Sequence, residues 1–108
     1  MLLVLTTTGS VEEAERLARR LLERRLAACC SIIPGLKSSY WWEGKIESSE
    51  EALLMVKTVR SLYREVEAEI KHSHPYEVPE IAAFPAEVVL PEYLRWLKGS
   101  VKAGSHGT

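Results

Sequence analysis

The segment Leu2-Leu3-Val4-Leu5, running on into Thr6-Thr7-Thr8, constrains this chain more than any other. Successive side chains on a strand point to opposite faces, so a strand with one solvated face alternates apolar and polar residues. An unbroken apolar run leaves no polar face, and this first strand must be covered on both sides. A chain of 108 residues has the size of one ordinary domain, so few elements are available to supply that cover.

Those elements are legible in order. Gly9-Ser10 ends the first strand, and Ser10 with Glu13 matches a capping box. Ala14, Leu17, Ala18, Leu21 and Leu22 then recur at helical spacing, predicting an amphipathic helix to about Arg25. Its acids come early and its bases late, as a helix macrodipole favours, and Glu12 with Arg16 and Glu15 with Arg19 stand at i,i+4. From Ala27 to Tyr40, β-branched, Cys and Ser residues predict a long strand, bulged or kinked at Pro34-Gly35. Glu43-Gly44 signals a tight turn, and Lys45 to Thr58 is the antiparallel partner. Two long strands joined tightly make an arm, with Tyr40, Trp41 and Trp42 at its tip.

Ser61 is placed as the cap of a second helix carrying Leu62, Val66 and Ile70. His72-Ser73-His74-Pro75 closes it, because proline pushes the residue before it out of the helical region. Glu80 to Val88 reads as a fourth strand, at a sheet edge because Pro85 has no N–H for a ladder. Pro91 opens a short last helix with Tyr93, Leu94 and Leu97. Residues 1–99 are expected to form the single domain and the small, polar residues 100–108 a flexible tail. The order β-α-β-β-α-β plus a terminal helix predicts an α+β, ferredoxin-like fold. Helices on that plan cover one side of the sheet. A second protomer is the simplest cover for the other, and the aromatic arm is placed to reach one.

Composition narrows the function classes. With 14 basic against 15 acidic residues the formal charge is −1, which is no nucleic-acid footprint. The opening MLLVLTTTGS lacks the basic and long apolar regions of a signal peptide, and no stretch approaches the ~18 apolar residues of a membrane span. The expectation is a cytoplasmic protein with no membrane partner. Cys29 and Cys30 are adjacent on a strand and point apart, so they are expected as free thiols. The chain has neither Asn nor Gln, and its LARRLLERRL segment is dense in arginine. Avoidance of thermolabile amides predicts a thermophilic source.

Candidate chemistry is sparse. Cys29 offers a thiolate ligand or nucleophile, against the plainer reading of a small buried apolar residue. Pairing it with His74 as a thiol hydrolase would need a further group to orient the imidazole, and no catalytic residue or enzymatic activity is assigned. His72 and His74 are candidate ligands, since neutral imidazole suits copper, zinc or nickel. Lys57 either places its positive charge in a cleft beside Tyr76 and Glu77 or forms an ion pair with a neighbouring Glu, and the sequence leaves both readings open. Trp41, Trp42 and Trp96 are read as core or interface residues, and His106 as inert in the tail. The Thr6-to-Ser10 turn lacks the glycine spacing of a phosphate loop.

Five segments, LAACCSIIPG, SSYWWEGKI, the Lys57-Thr58 pair, HPYEVPEI and YLRWL, occur in an order that resembles the CutA divalent-cation tolerance proteins from end to end. The resemblance implies a ferredoxin-like subunit of a tight homotrimer, architecturally similar to PII signalling proteins, that binds copper or other divalent cations in the response to metal ions. It also implies an inter-subunit cleft involving Thr6, Cys29, Trp42, Lys57, Tyr76 and Glu77. The alternative it leaves is a PII-like trimeric sensor or scaffold for a small anionic ligand or a protein partner. Copper-binding relatives carry a cysteine in the first strand and two consecutive histidines before the Pro-Tyr pair. Here those positions are Thr6, Ser73 and His74, with His72 displaced by one residue. The implied site is a weak copper site on His74 and His72, helped by Glu77 or Glu80.

Overall fold

A computed structural model describes residues 1–103. The elements are β1 (Leu2–Thr8), α1 (Val11–Glu23), β2 (Cys29–Trp42), β3 (Lys45–Thr58), a short 3-10 turn (Arg60–Leu62), α2 (Tyr63–Ser73), β4 (Ala82–Pro85) and α3 (Pro91–Ser100). The strands form one antiparallel sheet in the order β2-β3-β1-β4. This is the α+β, ferredoxin-like βαββαβ plan with a long hairpin and a terminal helix, as expected from the element order.

Local chemistry explains most boundaries. Ser10 Oγ accepts the Glu13 amide at 3.2 Å, and the Glu13 carboxylate accepts the Gly9 amide at 3.3 Å. Helix α1 stops before Arg25 because that residue takes a left-handed φ of 57°. Arg25 N then donates to Leu22 O and Leu26 N to Leu21 O, a Schellman closure made without the usual glycine. Glu43 (φ 50°) and Gly44 (φ 79°) form the two-residue hairpin turn, whose left-handed pair matches the twist of the strands. Pairing therefore continues to Trp42 opposite Lys45, past the expected end at Tyr40. The register shift falls between Ile33 and Leu36, at Pro34-Gly35. Two 14-residue strands at ~3.3 Å per residue account for the 45 Å long axis.

Four expectations are corrected. Ser61 is not the cap of α2: it lies inside the 3-10 turn, and the cap position is Leu62, with no side-chain hydrogen bond there. Strand β4 spans Ala82–Pro85 rather than Glu80 to Val88, because only Leu2–Leu5 of β1 pair with it. Glu12/Arg16 and Glu15/Arg19 do not form ion pairs, and Arg19 instead meets Glu23 at 3.3 Å. Helix α3 runs through Gly99 to Ser100, and Lys102 N donates to Arg25 O at 2.9 Å. The rest of the expected tail, with His106, lies outside the described residues.

Alternation sets two unlike faces. Leu2, Val4, Ala52, Leu54 and Val56 point towards α1 and α2 and join Leu17, Leu21, Val66 and Ile70 in the core. Leu3, Leu5, Leu53 and Met55 point the other way and are half-buried, with Ile33 46% and Phe84 51% exposed beside them. One defect sits in the core. Thr6 is fully buried on the helix side, and its hydroxyl has no partner. A buried unpaired hydroxyl costs ~1–3 kcal/mol, so Thr6→Val, which keeps the shape and removes the polar atom, is expected to stabilise the fold by about 1–2 kcal/mol. Denaturant unfolding of the two proteins checks this, and a loss of stability would mean that the hydroxyl is satisfied.

Among the described residues no helix is long and apolar enough to cross a membrane.

Candidate functional site

The chemistry-bearing residues gather at two ends of the sheet. At the C-terminal end of β1, α2 finishes at Ser73 and the chain leaves the helix at His74 (φ −83°, ψ 135°), as the following proline requires. His74 is buried, 8% exposed. Its Nε2 lies 2.6 Å from Thr7 O, and its Nδ1 accepts the Tyr76 amide at 3.1 Å. A backbone N–H only donates, so Nδ1 carries the lone pair, and Nε2 carries the proton that it gives to the Thr7 carbonyl. The network thus fixes a neutral imidazole with both nitrogens spent on backbone.

Tyr76 continues the network. Its ring lies 4.6 Å from that of His74, and its hydroxyl donates to Glu51 on β3 at 3.1 Å. Burial pushes the Tyr76 phenol above its usual range, and the hydrogen bond to Glu51 with the nearby negative charges adds to it. On the other side, Ser73 Oγ accepts from Arg20 at 2.6 Å and donates to Glu69 at 2.9 Å, while Arg24 forms an ion pair with Glu69. Burial raises the Glu69 carboxyl, but the hydrogen bonds from Arg24 and Ser73 and the arginine charges outweigh it and hold the group below the usual range. Between α1 and this segment lies a cleft of about 180 Å³, walled by Glu13, Arg16 and Arg20 on one side and Ser73, His74 and Pro75 on the other.

At the opposite end of the sheet Cys29 pairs with Lys57, whose Nζ lies 4.0 Å from the thiol. Both thiols are free. Cys30 points to the helix side, and burial, with the neighbouring Cys29 charge and against Lys57, pushes it up to about 12. It remains a thiol at neutral pH, a poor nucleophile and a poor ligand.

The expected site residues do not converge within one chain. Thr6 is enclosed in the core, Trp42 stands 61% exposed at the hairpin tip, and Glu77 is exposed. Lys57 is not beside Tyr76: Tyr76 is tied to Glu51, and the six steps along β3 from Glu51 to Lys57 span about 20 Å. His72 is exposed on the last turn of α2. Within this chain the one lone pair of His74 is engaged by the Tyr76 amide. Among the described residues no group of three or more His, Cys, Asp or Glu side chains could hold a metal ion. The residues present do not fit a divalent cation at His74. Pairing of Cys29 with His74 meets the same obstacle, since that imidazole has no free nitrogen and the thiol's neighbour is Lys57. Sequence reasoning missed Glu51, Arg20 and Glu69 altogether, and no short-range pattern marks them.

A family model described as CutA1 divalent ion tolerance protein matches residues 2–100. A divalent-cation tolerance protein CutA of Archaeoglobus fulgidus is 49% identical over 96 residues, covering 89% of this chain and 93% of that protein. Its namesake from Thermus thermophilus is 45% identical over 95 residues, covering 88% and 92%. A solved structure of a periplasmic divalent cation tolerance protein CutA from Archaeoglobus fulgidus superposes with a TM-score of 0.91 at 47% identity, over 94% of this chain and all of that one.

Proposed function

Because the chain belongs to the CutA1 divalent ion tolerance protein family, we propose that it acts in divalent-cation tolerance as a homotrimer whose subunits meet on the sheet face away from α1 and α2. The observation that carries this is the apolar character of that face. Leu3, Leu5, Leu53 and Met55 line it with Ile33 and Phe84, and a lone chain leaves such a surface in water. The arm supports the same reading, since Trp41 at 73%, Trp42 at 61% and Ile46 at 66% exposure crowd its tip. Such aromatic groups are favoured in buried interface centres. The number of subunits follows from the family resemblance, and the need for a partner from the face itself.

Cation contact, copper foremost because imidazole ligands favour it, belongs in this reading to weak surface donors such as the exposed His72. Sedimentation equilibrium at micromolar concentration tests the assembly. The expected species has three times the chain mass of 12.2 kDa, and a species at the chain mass would remove the reading.

A further inference from the structure

We infer that His74 is a latch that fastens the segment after α2 to the sheet, and that its ring is not a ligand for the cations associated with this family. A metal takes a lone pair, and neutral imidazole has one. In His74 that pair accepts the Tyr76 amide at 3.1 Å, and the proton on the other nitrogen goes to Thr7 O at 2.6 Å. Handing Nε2 to a cation strands the Thr7 carbonyl in a buried contact, and handing over Nδ1 releases the half-buried Tyr76 amide beside a residue that is only 8% exposed. An unpaired buried N–H or C=O is costly, so a cation would have to replace what the backbone already supplies.

Nothing nearby compensates for that loss. A tight site needs several convergent donors, and none of the described groups supplies three. The Thr6 side chain, one residue from the carbonyl that His74 holds, points to the helix side of the sheet, and its hydroxyl is enclosed there.

The latch has a second end. Tyr76 is held by its amide to His74 and by its hydroxyl to Glu51, so residues 74–76 are pinned both to β1 and to β3. Among the described residues these three bonds are the polar ties between residues 74–76 and the two central strands, and the next tie to β1 comes only with β4 at Ala82. The latch concerns the cation part of the proposed function only and leaves the oligomer untouched, so the two fail separately.

Imidazole nitrogen NMR on the ¹⁵N-labelled full chain is the direct test. The His74 signals are expected in the pattern of the Nε2–H tautomer at neutral pH and to stay in place on addition of ZnCl₂ to tenfold excess. Hydrogen exchange and calorimetry extend it to His74→Ala, in which the Tyr76 amide should exchange at least tenfold faster while the Zn²⁺ and Cu²⁺ isotherms match the wild type. Zinc-induced movement of the His74 Nδ1 signal, or loss of the isotherm in His74→Ala, would overturn the inference. An unchanged Tyr76 exchange rate would overturn the latch. Should the variant fail to fold, the wild-type spectra decide alone.

Discussion

Met55→Glu is expected to convert the proposed trimer into a folded species of the 12.2 kDa chain mass. Met55 lies opposite Leu5 on one side and Ser31 on the other, on the sheet face away from α1 and α2. In a single chain this side chain is half-buried, so a carboxylate there can turn to water and cost the fold little. Within an assembly that buries the face, the same carboxylate is stranded between apolar neighbours. A buried charge without a partner costs ~3–5 kcal/mol, and every ~1.4 kcal/mol is tenfold in affinity. Two to three decades of lost affinity at each contact is enough to dissociate a micromolar trimer. Glu15→Lys, on the exposed side of α1, is the charge-change control and should leave the assembly intact. If Met55→Glu sediments with the wild type, the interface lies elsewhere.

What was legible in the sequence, and what was not, follows from the range of the forces involved. The apolar β1, the Glu43-Gly44 turn, the break at Pro34-Gly35 and Pro91 at the start of α3 are local features, and each appears where its chemistry places it. Helix α1 closes close to the expected Arg25, but the left-handed conformation of that residue, usual for glycine, is not legible in the sequence; its neighbours' closing hydrogen bonds and the burial of Leu26 hold it there. Strand β4 is shorter than its composition suggests because its length is set by its pairing with β1, which composition does not reveal. The site suffers most from long range. His74 meets Thr7 across 67 positions, Arg20 meets Ser73 across 53 and Arg24 meets Glu69 across 45. The motif around Pro75 displays two imidazoles at ligand-like spacing, but only the folded chain reveals that one of them is already occupied.

Leu54→Ala should give the largest loss of stability. Leu54 sits in β3 between Ile32 of β2 and Thr6 of β1, is fully buried, and faces the helices in the cluster that contains Leu17, Leu21, Val66 and Ile70. Truncation removes apolar contact area and leaves a cavity, because neighbours on two hydrogen-bonded strands cannot close in. Such changes cost ~2–5 kcal/mol against a total of ~5–15 kcal/mol for a domain, so the unfolding midpoint should fall by ~8 °C or more. If unfolding is coupled to dissociation, the midpoint depends on protein concentration, and both proteins must be melted at the same one. A loss below about 1 kcal/mol would mean that the core repacks around the gap. Thr6 is the direct cross-strand neighbour of Leu54, and the cavity would open beside its unpaired hydroxyl. A water admitted there would satisfy that group, so Thr6→Val should stabilise the Leu54→Ala background less than it stabilises the wild type, a non-additivity that a double-mutant cycle reads directly.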